Sequence, residues 1–169
     1  LEMGIAEQDM VSCAGGLALQ GRLPVVNTYG SFFRRAFEQV YVNATEETSV
    51  VYAGHYSGLC YTTDGKTHQC TGDVAMMRSI PGMKVFVPAF AEDVAEIFEW
   101  CRTTEDKGPA YIRLHRTPAP VCRPDDDSGF RYGIGTRVRD RGSGDAVVTA
   151  GPHTTAFCAE ASDRLREDD

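Results

Sequence analysis

The chain contains no run of about 18 consecutive apolar residues, so no helix able to cross a bilayer is expected. Positive charge is scarce: 17 Lys and Arg stand against 24 Asp and Glu, for a net charge of −7. That balance excludes a domain-wide basic face, and nucleic acid is not an expected partner. No close CxxC pair occurs among the six cysteines (Cys13, Cys60, Cys70, Cys101, Cys122 and Cys158), which read as reduced thiols of a cytoplasmic protein. No basic-then-apolar leader pattern opens the sequence, and no internal repeat is found. The one approach to a GxGxxG phosphate loop, "GIGTRV", lacks its third glycine.

What is present is an ordinary globular composition: 169 residues, 42% hydrophobic and 24% charged, enough for one domain or one and a fraction. Helical spacing runs from Ile5 to Leu19 in "GIAEQDMVSCAGGLALQG", with Ala14, Gly15, Gly16 and Ala18 permitting close packing and Gly21 ending the helix. Apolar strands are expected at Leu23 to Tyr29, Ser49 to His55, "MKVFVPA" and "GPAYIRLHR"; helices at "SFFRRAFEQVYVNA", "DVAMMRSI" and "AEDVAEIFEWCRTTE". This alternation predicts an α/β fold with a mostly parallel sheet and helices on both faces. Ligands bind such sheets beyond the carboxyl ends of the strands. Three polar clusters are expected there: Thr28 to Arg35, His55 to His68, and Arg113 to Arg116.

"PAPVCRPDDDSG" is rich in Pro and Asp and reads as a linker. The expected organisation is a domain over 1–118, a linker over 119–130, and the beginning of a second domain over 131–169, cut short. Within that last part, "GTRVRDRG" and "DAVVTAG" are expected as strands and "TTAFCAEASDRLREDD" as a helix. A strand pair and one helix do not close a core, so the chain is expected to be a piece of something longer.

Several residues invite a chemical reading. Glu7 lies in the first turn of an apolar helix; on periodicity alone it is a carboxylate favoured by the helix dipole. Tyr29 and Phe32 read first as core aromatics. His55 and His68 offer imidazoles that donate, accept and shuttle protons near neutral pH. His55, Cys60, His68 and Cys70 offer zinc-type ligands at a spacing that fits no common zinc motif, so no metal site is assigned to this chain. Cys60 or Cys70 beside His68 is a weaker, nucleophilic alternative.

At "GIAEQ", "RRAFEQV", "DGKTHQ" and "YIRLHR", in this order, the sequence resembles the pyrimidine-binding domain of thiamine-diphosphate enzymes of the transketolase group, over about residues 1 to 118. The resemblance implies the thiamine-diphosphate-binding fold, followed by the start of the family's carboxyl-terminal α/β domain. It implies transfer of a two-carbon ketol unit between sugar phosphates. In the family, the glutamate matching Glu7 hydrogen-bonds N1′ of the cofactor's aminopyrimidine, and the cofactor carries the hard chemistry. Tyr29, Phe32 and Arg35 match the segment around that ring, with Phe32 stacking on it. His55, Asp64 and His68 match residues at the substrate's hydroxyls and reacting carbon, and Arg116 matches the arginine of the sugar phosphate. Arg113 reads as an assistant there or as a surface ion pair.

Departures from the pattern are also informative. Arg35 stands where transketolases proper resemble one another in a Tyr, and is closer to 1-deoxyxylulose-5-phosphate synthase and to split transketolase-like proteins. Thr62-Thr63 replaces the family's Gly-Glu, and the loop from His55 to Asp64 is one residue longer. No "GDG" motif occurs, so Mg²⁺ and the diphosphate are expected on an amino-terminal partner domain or chain. The resemblance further implies a second copy of the chain across the site, packed through the Ile5 to Gly21 helix. A non-catalytic partner subunit that retains the fold is the alternative from another class.

Overall fold

A computed structural model describes residues 1–59, 63–120, 122, 124–125, 129–140, 142 and 146–167. Its elements, in chain order, are α1 (Glu7–Leu19), β1 (Val25–Tyr29), a 3₁₀ helix (Gly30–Ala36), α2 (Phe37–Thr45), β2 (Val51–His55), α3 (Asp73–Arg78), β3 (Lys84–Phe86), α4 (Ala91–Thr103), β4 (Ala110–Arg113) and α5 (Pro152–Glu167). The four strands form one sheet in the order β1-β2-β4-β3, and every pair is parallel. The fold class is therefore α/β with a parallel sheet and flanking helices, as the alternation of elements predicts.

The chain divides into two compact units, 1–86 with 100–117 and 87–99 with 118–169. The first holds the sheet. Strand alternation sends Tyr52 of β2 and Tyr111 of β4 to one face, where they join Val11, Ala14, Phe33, Val40 and Met77 from the helices in a buried core. Burial of these large side chains is the main stabilising term, about 1.5–3 kcal/mol for each fully buried aliphatic or aromatic side chain. Phe33 meets the rings of Tyr52 and Tyr111 edge-on at 5.8 and 6.0 Å. On the other face lie Val51, Ala110 and Phe86, with Trp100 edge-on to Phe86 at 5.6 Å.

In the second unit, Asp93 accepts hydrogen bonds from the amides of Ala89 and Phe90, both at 3.0 Å, tying down the start of α4. Arg139 forms a forked pair with Asp163 of α5, both bonds 2.9 Å.

Three sequence expectations change. The single helix expected over 31–44 is a 3₁₀ helix followed by α2. The strand expected at 83–89 ends at Phe86, because Pro88 has no N–H for a ladder. The strands expected at "GTRVRDRG" and "DAVVTAG" are absent from their described residues, 135–140, 142 and 146–150; Val147 and Val148 are almost fully exposed. A segment of strand-forming residues makes a strand only where another strand completes the ladder, and none does so here among the described residues.

Candidate functional site

The sheet itself begins the site. Parallel pairing of β1 with β2 sets Tyr29 opposite His55, so both strands deliver a ring at their carboxyl ends. Just past Tyr29 the chain enters the 3₁₀ helix. With three residues per turn, side chains at i and i+3 eclipse. Tyr29, Phe32 and Arg35 therefore line up one above another: Tyr29 and Phe32 stack at 5.1 Å with planes 7° apart, and the Arg35 guanidinium carbon lies 5.0 Å from the Phe32 ring centre. The alternate register, Phe33 and Ala36, is fully buried and anchors this face.

α1 brings the carboxylate. Glu7 in its first turn is buried, and Arg35 Nη1 stands 3.3 Å from its Oε2. This is an ion pair without hydrogen-bond geometry, so Oε2 is a buried oxygen that accepts no hydrogen bond among the described residues. A buried acceptor left unmade is costly.

His55 and His68 close the arrangement. His68 lies edge-on to Tyr29 at 5.6 Å and to Phe32 at 5.3 Å, and its Nδ1 is 2.9 Å from Thr67 Oγ1. His55 is half-buried, and that desolvation lowers its pKa below the usual 6.5, favouring the neutral ring at pH 7. A groove of about 690 Å³ is lined by Glu7, Asn27, Thr28, Tyr29, Phe32, Arg35, His55, Tyr56 and His68, with Gly4 and Ile5 at one end. Six of the residues singled out from sequence thus share one groove. Asp64 and Arg116 do not line it. Asp64 is exposed; Arg116 is exposed too, with its guanidinium carbon 5.0 Å from the centre of the Tyr56 ring.

Two features escape the sequence reading. Tyr56 stacks on Tyr29 at 4.1 Å, continuing the ring ladder; its place directly after a strand-end histidine was the available signal. The second is a polar network beneath the site. Asp73, fully buried at the start of α3, accepts from Tyr111 Oη at 2.9 Å and from Arg113 Nε at 2.8 Å. Tyr111 Oη is also 3.2 Å from Ser57 Oγ, and Arg113 donates to the Cys70 carbonyl. Arg113 is thus half of a largely buried ion pair rather than of a surface one. A side chain at Gly54 would place its Cβ 2.2 Å from Tyr111 Oη, so only glycine admits this network. Backbone contacts between 57–58 and Cys70 tie together the segments that follow His55 and His68.

The rival chemistries find no support. Cys60 lies outside the described residues. Cys70 is fully buried, and burial with the nearby Asp73 carboxylate pushes its thiol pKa up, away from a nucleophilic thiolate. Among the described residues, no three or more His, Cys, Asp or Glu side chains gather as a metal site. None of the helices there is long and apolar enough to cross a membrane.

A parallel α/β sheet with an aromatic, carboxylate-bearing groove past its strand ends defines a ligand-binding domain of the doubly covered sheet class. Residues 1–120 match the family described as "Transketolase, pyrimidine binding domain", and the chain belongs to that family. It is 32% identical over 163 residues to the 6-deoxy-6-sulfo-D-fructose transketolase subunit SqwH of a Clostridium species, covering 95% of this chain and 48% of the relative. It is 35% identical over 136 residues to a 1-deoxy-D-xylulose-5-phosphate synthase of Treponema pallidum, covering 80% of this chain and 20% of that enzyme. Among solved structures, "Split gene transketolase, inactive beta4 tetramer" superposes with a TM-score of 0.70 at 34% identity, over 83% of this chain and 44% of that one. The chain spans about half or less of the length of these proteins.

Proposed function

We propose that this chain supplies the aminopyrimidine-activating half of a transketolase-like site that moves a two-carbon ketol unit between sugar phosphates. The observation that carries the reading is Glu7: its buried Oε2 accepts no hydrogen bond among the described residues, and Glu7 lines the same groove as the Tyr29 and Phe32 rings and both histidines. This donor set suits a flat nitrogen heterocycle, which stacks on rings and hydrogen-bonds a carboxyl group. When bound, thiamine diphosphate supplies the carbon nucleophile.

The chain's own residues divide the remaining work. Glu7 holds a ring nitrogen through Oε2, Phe32 stacks on the ring with Tyr29 beside it, and Arg35 steadies the carboxylate. His55, neutral and half-buried, donates to a substrate hydroxyl or to oxygen developing negative charge, and His68 moves a proton beside it. Asp64 binds a substrate hydroxyl, and Arg116 binds the sugar phosphate. Mg²⁺ and the diphosphate fall to an amino-terminal partner domain or subunit, with a second copy of this chain completing the assembly. Relatives named as a transketolase subunit and a split-gene transketolase support that division. A cytoplasmic location agrees with five described cysteines that form no disulfide. Arg35, paired with Glu7, favours a 1-deoxyxylulose-5-phosphate-synthase-like reaction as the second reading.

Glu7→Gln tests the assignment in the complex with the diphosphate-binding partner. Exchange of the C2 proton of bound thiamine diphosphate is expected to slow by about 100-fold or more, with cofactor affinity changing far less. Unchanged exchange would reduce Glu7 to a first-turn carboxylate.

A further inference from the structure

Tyr56 adopts φ +56°, the left-handed region that a bulky residue occupies only against a steric cost. Such strain persists where the surroundings over-determine it, and it gathers at functional sites. What the conformation achieves here is visible. It lays the Tyr56 ring on Tyr29, centroids 4.1 Å apart, and places the Arg116 guanidinium carbon 5.0 Å from the Tyr56 ring centre. Tyr56 lines the groove, whereas Arg116, three residues past β4, does not. A guanidinium drawn to a ring face by cation–π attraction is confined there, and its planar fork of donors suits a tetrahedral oxyanion.

We propose that Tyr56 is a positioning residue: its strained ring, itself part of the groove lining, holds Arg116 against it as the receptor for a substrate's oxyanion. This rests on the reading of Arg116 as the phosphate ligand. Glycine, which the backbone would favour at this position, lacks the ring that meets Tyr29 and Arg116.

The test uses the 169-residue chain, inorganic phosphate as the probe, and the Arg116 Nε–Hε resonance, assigned by its loss in Arg116→Ala. In the native chain this resonance is displaced by the ring current of Tyr56 and titrates with phosphate. Tyr56→Gly relieves the backbone and therefore folds, as the amide spectrum checks. It is expected to return the resonance to the range of solvated arginines and to weaken phosphate binding about fivefold or more. Tyr56→Phe keeps the ring and should restore both. If Tyr56→Gly leaves phosphate affinity intact while Arg116→Ala abolishes it, the positioning role is overturned and the phosphate reading survives. If Arg116→Ala leaves phosphate affinity intact, both fall.

Discussion

Removal of Asp73 should be among the most damaging single changes to the sheet domain, and the structure sets its size. The Asp73 side chain is 0% exposed and that of Arg113 is 17% exposed, at 2.8 Å. Deleting one member of such a pair leaves the other charge buried without its partner, at a cost of about 3–5 kcal/mol. Two details place Asp73→Ala near the lower end. Oδ1 of Asp73 accepts no hydrogen bond among the described residues, so the native pair is itself incompletely satisfied there. Tyr111 Oη loses its carboxylate but retains Ser57 Oγ at 3.2 Å. A loss of about 3 kcal/mol, at a urea m-value of about 1.5 kcal/mol/M, lowers the unfolding midpoint by about 2 M. The double variant Asp73→Leu with Arg113→Met removes both charges and replaces them with apolar volume, so it should be more stable than the sum of its single variants by about 2 kcal/mol or more. A midpoint shift below about 0.3 M for Asp73→Ala, or strict additivity in the cycle, would refute the account of a coupled buried pair.

Three further outcomes are expected. Gly15→Ala would place a Cβ 2.1 Å from Asn43 Oδ1 and push aside the amide that donates to the Val11 carbonyl and Tyr52 Oη, costing about 2–4 kcal/mol by thermal denaturation; an unchanged Tm would contradict the packing of α1 on α2. The His55 ring should titrate by NMR with a midpoint below 6.5, because burial disfavours its charged form. The native state then binds fewer protons than the unfolded one, so stability falls as pH drops below 6.5, and His55→Gln should flatten that slope; a midpoint at or above 6.5 would sink the argument. Tyr52, raised by burial to about 12 from 10.0, should show no tyrosinate absorbance near pH 10 while the fold lasts. Here the native state holds its proton longer, so stability falls above pH 10.0, and ionisation at that pH without unfolding would contradict the burial.

Much of the fold was legible because each strand carries a local signal that tertiary structure does not override. Four apolar runs separated by helical spacing permit few sheets other than a parallel one, and the strand ends at Tyr29 and His55 fall where the runs stop. The two failed strands show the limit of the same reasoning. Val138, Val147 and Val148 are residues of strand type, but a ladder belongs to a pair of segments, and no pattern within one segment reports whether the other is there.

The candidate site divides along a similar line. Glu7, Phe32 and His68 could be nominated from motif order, yet what makes them a site is a period of three that a helical reading misses. Read at 3.6 residues per turn, Tyr29, Phe32 and Arg35 drift around a cylinder; at 3.0 they form a column, and the column carries the stack on to Tyr56. Asp73 was hidden for a different reason. An aspartate opening a short helix reads locally as a first-turn carboxylate, and nothing nearby in sequence reveals that Tyr111 and Arg113, some 40 residues on, converge upon it. Backbone hydrogen bonds join Gly58 to Cys70, and the buried network braces that junction through Ser57 Oγ and Arg113. Loss of the Asp73–Arg113 pair is therefore expected to loosen the placement of both imidazoles as well as the sheet.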